Sequence, residues 1–118
     1  MKDFKKLNIW QLGMEIVDKV YDQVPMFPPE ERHGLRSQIT RCAVSIPSNI
    51  AEGSAKRSTK EKIRFMEISL GSAFELETQL SVQKRKWIQG ESIEELIKVV
   101  RTEQSMISKF IDKLEIGD

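Results

Sequence analysis

Apolar residues recur at intervals of three and four along most of this 118-residue chain, the spacing that places them on one face of a helix. Four such stretches are separated by clusters of proline, glycine and serine, residues that end helices or begin them. We therefore predict four helices, at residues 7–24, 30–53, 58–86 and 92–115. Helices of this length with short connections favour an all-α fold, an antiparallel up-and-down four-helix bundle in a single domain, 1–118.

The second and third predicted helices carry apolar or small residues on two sides. On one side of the second helix lie Leu35, Ile39, Cys42, Ala43, Ile46 and Ile50. On another side lie Thr40, Val44, Pro47 and Ala51. On one side of the third helix lie Ile63, Met66, Leu70 and Phe74. On another side lie Phe65, Ser69, Ser72, Leu76 and Leu80. A helix that is apolar on two sides needs two packing partners, so we predict a homo-oligomer. The residues that we assign to its interface are Val44, Ala51, Phe65 and Leu76.

Pro47 lies inside the second predicted helix, where a proline removes a backbone hydrogen bond and crowds the carbonyl four residues earlier. Because Ser45 and Ser48 can satisfy the freed backbone groups, we predict a bend near Ile46 and a helix that continues. Gly53 is predicted to end this helix, since glycine adopts the left-handed cap conformation at little cost.

Other helix boundaries carry their own signals. Pro29, with Glu31 close behind it, suits the first turn of the second helix, where acids stabilise the positive end of the dipole. Ser58 followed by Glu61 forms a capping-box pattern at the start of the third helix. Beyond that helix, residues 87–88 (Trp-Ile) are expected to fold back over the core.

The first and fourth helices each show one apolar stripe. In the first helix the stripe is Leu7, Trp10, Met14, Val17, Tyr21 and Val24, and Ile16 and Val20 widen it. Aromatic residues on such a stripe usually belong to the core, so we expect Trp10 and Tyr21 to be buried. In the fourth helix Glu103 falls within the apolar arc. A buried carboxylate needs a partner, and we expect that partner to be Arg41.

Composition bounds the class of protein. With 39% apolar and 31% charged residues, the chain can build the core of one ordinary domain. Cys42 is its single cysteine, so an internal disulfide is excluded, and the thiol is expected to be buried on the core stripe. No apolar run approaches the length of a membrane span, and the N-terminus lacks the pattern of a signal peptide. We therefore expect a cytoplasmic protein without a membrane partner.

The net charge of +1 hides an asymmetry, because residues 32–64 contain eight Lys or Arg and only two acids. A basic middle between acidic ends can bind a polyanion such as RNA or DNA. It can equally be the solvated, ion-paired side of a bundle. The candidate phosphate contacts are Arg36, Lys56, Arg57, Lys60 and Lys62.

One polar stripe of the second helix has the variety of side chains that an active site needs: Gln38, Arg41, Ser45, Ser48, Asn49 and Glu52. The alternative interpretation is a hydrogen-bonded network that fixes the register of helices, and we favour it. The chain has one histidine and lacks a phosphate-binding glycine loop, paired cysteines and paired metal-ligand motifs. We predict no catalytic residues, no metal, no cofactor and no enzymatic activity.

The longest motif is the run Ser-Ile-Pro-Ser-Asn-Ile-Ala-Glu-Gly at residues 45–53. Further matching positions are Phe27-Pro28, Gly34-Leu35, Arg64-Phe65, Gly71-Ser72, Glu75-Leu76-Glu77 and Gln79-Leu80. Over roughly residues 4–114 the chain resembles the four-helix bundle proteins encoded in intervening sequences of bacterial 23S ribosomal RNA genes. It departs from that pattern at His33, where the family more often has an aromatic residue, and over 54–58.

This resemblance implies a ring of five subunits. The family is also similar to the accessory protein of diversity-generating retroelements, which is thought to bind nucleic acid and reverse transcriptase. The resemblance therefore implies an oligomeric scaffold that binds nucleic acid through its basic middle. The alternative is a homo-oligomeric adaptor whose partner is another protein and which has no affinity for nucleic acid.

Overall fold

The computed structural model describes residues 3–31, 33–86 and 90–117. In these ranges the chain forms four α-helices, namely α1 (Asn8–Gln23), α2 (Leu35–Ser54), α3 (Thr59–Lys86) and α4 (Glu91–Ile116). Short 3-10 turns at Phe4–Lys6, Val24–Met26 and Pro29–Glu31 precede α1 and connect it to α2. The predicted fold-back of residues 87–88 lies outside the described residues.

Each helix packs against the next one along the chain, and α1 also packs against α4, which closes the bundle. The body measures 46 × 24 × 20 Å. The prediction of an all-α, up-and-down four-helix bundle is confirmed. In this arrangement α1 and α3 lie diagonally opposite one another. No helix among the described residues combines the length and the apolar character needed to cross a membrane.

The core is a continuous layer of aliphatic side chains from all four helices. Its largest fully buried members are Ile16, Ile39, Ile46, Ile50, Met66, Leu76, Leu80, Ile93, Leu96 and Ile107. In α1 the buried face includes Ile16 and Val20, as the widened stripe predicted, and also Ile9, which lies outside that stripe. The expectation that Tyr21 belongs to the core is wrong, since its side chain is 52% exposed.

The buried face of α3 lies between the two stripes that its sequence suggested. Met66, Ala73, Leu76 and Leu80 follow one another at helical spacing and face the core. Leu76 is 0% exposed within its own chain, so its assignment to an intersubunit interface is wrong. Phe74 was expected on a core stripe, but it lies outside the buried face and is 53% exposed.

The ends of α2 differ from the prediction. Pro29 and Glu31 form a separate 3-10 turn, and α2 begins only at Leu35. Glu31 nevertheless contributes to the start of α2, because its Oε1 accepts a hydrogen bond from the Leu35 amide (3.1 Å). Gly53 is not a left-handed cap: it lies within α2, and in the described residues positive φ angles occur only at Gly90 and Gly117.

Helix α2 continues through Pro47, whose ring is buried against Gly13 of α1. Carbonyl groups before Pro47 accept side-chain hydrogen bonds, from Asn49 Nδ2 to the Ser45 oxygen (2.8 Å) and from Ser69 Oγ to the Ile46 oxygen (2.9 Å). Pro47 removes the amide donor to the Ala43 carbonyl, four residues earlier, and the expectation that Ser45 and Ser48 satisfy the freed backbone group stays a prediction. The bend near Ile46 stays a prediction.

Candidate nucleic-acid interface

The connection between α2 and α3 is a short turn with well-defined hydrogen bonds. The amides of Ala55 and Lys56 donate to the carbonyls of Glu52 and Gly53, both at 3.1 Å, so α2 ends in tight 3-10 geometry. Ser58 Oγ accepts a hydrogen bond from the Glu61 amide (3.1 Å), as the capping pattern predicted. The backbone of this turn is therefore held by hydrogen bonds at the end of α2 and at the start of α3.

Five cations lie on this turn and the first turns of α3, and we call them the basic turn: Lys56, Arg57, Lys60, Lys62 and Arg64. Two of them approach one aromatic ring. Lys56 Nζ lies 4.9 Å and Arg64 Cζ 5.8 Å from the centre of the Phe65 ring. Cation–π attraction holds both charges in place without neutralising them. Phe65, which was assigned to the oligomer interface, is therefore half-buried beneath these two cations.

Among the described residues, no carboxylate lies within ion-pair distance of a cation of the basic turn. In the described part of the chain, ion pairs join Lys84 to Glu94, Lys98 to Glu95 and Arg101 to Glu77, and all of them involve α4. Arg57 and Lys60 are exposed, and neither belongs to an ion pair with another described residue. The interpretation of the basic middle as an ion-paired side of the bundle therefore does not apply to this turn.

Two of the predicted phosphate contacts, Lys62 and Arg36, do not join the exposed cations of the turn. The Lys62 ammonium donates to the carbonyls of Ser54 (3.2 Å) and Lys56, which makes it a cap for the C-terminus of α2. Arg36 lies near the other end of α2. Twenty residues separate it from Lys56, which corresponds to about 30 Å along a helix. The structure therefore brings together Lys56, Arg57 and Lys60 with Arg64, but not Arg36.

The polar stripe of α2 lies along a shallow groove of about 270 Å³ between α2 and α3. Ser45 and Ser72 hydroxyls are 2.9 Å apart, and Asn49 Nδ2 donates to Ser45 Oγ (2.9 Å). Arg41 does not reach Glu103, so the predicted ion pair is wrong. Arg41 is exposed and donates to Ser37 Oγ (3.0 Å). The remaining members, Gln38, Ser48 and Glu52, are exposed.

Cys42 lies at the floor of this groove, where its Sγ donates to the Ser72 carbonyl (3.1 Å) and lies 3.7 Å from Glu75 Oε1. Burial, and then the neighbouring Glu75 carboxylate, raise the pKa of the Cys42 thiol from 9.0 to about 12. A cysteine nucleophile needs a lowered pKa, so this environment opposes nucleophilic chemistry. The groove thus has the properties of a packing contact between α2 and α3.

We expect the Cys42 thiol to be inert in the folded protein. At pH 8 a pKa of about 12 leaves about 1,000-fold less thiolate than a pKa of 9.0. Reaction with an aromatic disulfide reagent, followed by absorbance, should therefore be at least 100-fold slower in buffer than in denaturing urea. Equal rates in the two solutions would contradict this description of the site.

Sequence reasoning assigned Val44 to an exposed interface but missed the other large apolar residues that the folded chain leaves exposed. The α1–α2 face consists of Met14, Tyr21 and Val44, and Val44 is 40% exposed. The α3 face consists of Ile68, Phe74 and Val82. Because α1 and α3 are diagonal in the bundle, these two faces lie on opposite sides of the subunit. The mixing of apolar and charged residues on the outer side of α3 weakened the sequence signal.

Comparison with solved structures finds the same fold in a protein from Bacteroides thetaiotaomicron VPI-5482, described as a protein of unknown function from the S23 ribosomal protein family. The two chains superpose with a TM-score of 0.80 at 22% sequence identity, over 87% of this chain and 97% of the other. Comparison with curated proteins finds no match. The family model of the 23S rRNA-intervening sequence protein matches residues 5–109, nearly the whole chain. The chain therefore belongs to the 23S rRNA-intervening sequence protein family.

Proposed function

We propose that this protein is a non-enzymatic, self-assembling scaffold that binds nucleic acid through its basic turn. The observation that carries the proposal is that Arg57 and Lys60 are exposed and form no ion pair within the described part of the chain, while Lys56 and Arg64 share the Phe65 ring. Such cations can pair with phosphate oxygens directly, because no existing ion pair has to be broken first. Contacts of this kind position a nucleic acid and do not read its sequence.

Self-assembly is supported by the two exposed apolar faces. When different faces on opposite sides of a subunit meet, the contact is heterologous, and a closed rotation gives a ring. We therefore propose that the α1–α2 face of one subunit packs against the α3 face of the next, in the five-membered ring that the family resemblance implies. A ring repeats the basic turn once per subunit, so a long nucleic acid can bind several copies with increased avidity.

We place the protein in the cytoplasm. Cys42, its single cysteine, is a free and buried thiol. A protein that relies on core packing alone, without a disulfide, suits a reducing compartment.

The test of the proposal is an electrophoretic shift assay with structured RNA and duplex DNA at 50 and 200 mM salt. If the four cations Lys56, Arg57, Lys60 and Arg64 each neutralise one phosphate, counterion release predicts that affinity falls about 100-fold over this range. Arg57→Glu/Lys60→Glu should weaken binding more than about tenfold. The control is Lys109→Glu/Lys113→Glu, which makes the same change of charge on the exposed side of α4 and should change affinity about threefold or less.

Binding that is insensitive to salt, or that both charge-reversed variants weaken equally, would contradict a role for the basic turn. The second candidate function is a homo-oligomeric adaptor whose partner is another protein, and the exposed Phe74 and Val82 of the α3 face favour it. An oligomer in light scattering combined with no shift of either nucleic acid would support the adaptor over the scaffold.

A further inference from the structure

Glu103 of α4 ends in the centre of the bundle, where α1, α2 and α4 meet. Its side chain is 0% exposed. A Cβ atom added to Gly13 of α1 would lie 3.1 Å from Glu103 Oε2 and 3.4 Å from two atoms of the Pro47 ring. The carboxyl group therefore occupies space that the lack of a side chain at Gly13 leaves open, next to the proline of α2.

The surroundings of this carboxyl group are apolar. One turn away from Gly13, Pro47 and Glu103, the three helices contribute buried aliphatic residues: Ile9, Ile16, Ala43, Ile50, Val100 and Ile107. In the described part of the chain, neither oxygen of Glu103 has a hydrogen-bond partner. A buried carboxylate without a partner is costly, whereas the neutral acid is tolerated far more easily.

Charged groups on the same helices lie elsewhere. The charged residues nearest to the junction in sequence are all exposed: Glu15, Asp18 and Lys19 of α1, Arg41 and Glu52 of α2, and Lys98 and Arg101 of α4. Cys42 is the other buried titratable group among the described residues, and it contacts Ser72 and Glu75 on the α3 side. Among the residues that the structure describes, no cation lies within ion-pair distance of Glu103.

We propose that Glu103 makes the closed packing of α1, α2 and α4 dependent on pH, because the neutral carboxyl group fits the junction and the carboxylate does not. Loss of its proton forces water or a cation into the junction, which loosens the contact of Gly13 with Pro47. This dependence is a property of the fold itself and does not rely on nucleic-acid binding or on assembly.

The direction of the effect follows from proton binding. Burial alone raises the pKa of Glu103 from 4.5 to about 8. Between these values the folded chain holds a proton that the unfolded chain has lost, so the contribution of Glu103 to stability is greatest below pH 4.5 and falls as pH rises. The folding equilibrium constant should decrease about tenfold per pH unit and become constant above about pH 8.

Other shifted groups act outside this range. Hydrogen bonds from Gln104 to Glu77 and from Lys84 to Glu94 lower the pKa of each of these carboxyl groups, so their contributions are lost only as pH falls below about 4.5. The raised pKa of Cys42 lowers stability only above about pH 9, where the unfolded thiol ionises. The interval from pH 5 to 8 therefore reports on Glu103.

The test is urea unfolding of the full chain at fixed protein concentration between pH 5 and 8. The folding equilibrium constant of the natural protein should fall about 400-fold over this range. Glu103→Gln and Glu103→Met should each remove most of this dependence, and Glu103→Met should be more stable than the natural protein at pH 8. Glu67→Gln, which alters an exposed carboxyl group of α3, should keep the natural pH profile.

Carbon-13 NMR of the natural protein gives a second measurement that needs no variant to fold. It should show one side-chain carboxyl group titrating near pH 8, and Glu103→Met, if folded, should lack that signal. A pH-independent folding equilibrium constant, or titration of every carboxyl group below pH 6, would overturn the proposal.

Discussion

Replacing Leu76 by alanine is expected to lower the free energy of unfolding by about 2–5 kcal/mol, because the substitution leaves a cavity in the core. Leu76 is fully buried within its own chain, among residues such as Ala73 and Leu80. Phe74, two residues earlier, projects from the opposite side of α3. Phe74→Ala should change the unfolding free energy of the subunit by about 0.5 kcal/mol or less.

The same pair of variants separates folding from assembly. Phe74 lies on the α3 face that we propose as one half of the contact between subunits. Phe74→Ala should therefore raise the concentration at which the oligomer dissociates by about tenfold or more, as expected for truncation of an aromatic interface residue. Urea unfolding over a series of protein concentrations and light scattering measure the two effects, since subunit association adds to apparent stability.

Suppose instead that Leu76→Ala dissociated the oligomer into stable subunits and that Phe74→Ala unfolded the subunit. The burial described for α3 would then be incorrect. This outcome is the one that the sequence alone would have suggested. The spacing of apolar residues in α3 fits two stripes equally well, one containing Phe74 and the other containing Leu76. Packing against α2 and α4 selects the face between those stripes, and the sequence of α3 by itself does not contain that information.

Elsewhere the sequence was more informative about the fold than about contacts. Apolar periodicity and capping residues predicted four helices and the cap at Ser58, because these signals are local. The partner of Glu103 could not be predicted in this way, since the arc containing Glu103 does not show which helix it faces. Arg41 was chosen because both charges lay on helix surfaces that otherwise face inward, but the side of α2 that faces Glu103 carries Pro47.

The contacts of the cations in the basic turn could not be predicted from the sequence either. Charge counting found the basic segment between residues 32 and 64, but it could not show which cations have partners. Lys62 is bound to backbone carbonyls, Arg36 lies near the far end of α2, and Arg64 joins the cluster through Phe65. Such distinctions depend on side-chain contacts between α2 and α3, which no single-helix pattern encodes.

Replacing Gly53 by valine is expected to lower the free energy of unfolding by about 1–3 kcal/mol, the usual cost of overpacking a close contact. A Cβ atom at this position would lie 2.9 Å from Phe65 Cβ and 3.4 Å from the Lys62 carbonyl oxygen. Both atoms are tied to the backbone of α3, so relief requires movement of the helix and not rotation of a side chain.

The Gly53 variant should also weaken nucleic-acid binding, because Phe65 positions Lys56 and Arg64. The control is Ala55→Val, which introduces the same side chain two residues later at an exposed position and should alter stability by about 0.5 kcal/mol or less. Urea unfolding and the shift assay measure the two effects on each variant.

The Ser-Ile-Pro-Ser-Asn-Ile-Ala-Glu-Gly run ends in Gly53, and we attribute the need for glycine there to close packing of α2 on α3. If Gly53→Val proved as stable as Ala55→Val, this explanation would be wrong. If only binding were lost, the role of this glycine would lie in placing the cations above the Phe65 ring.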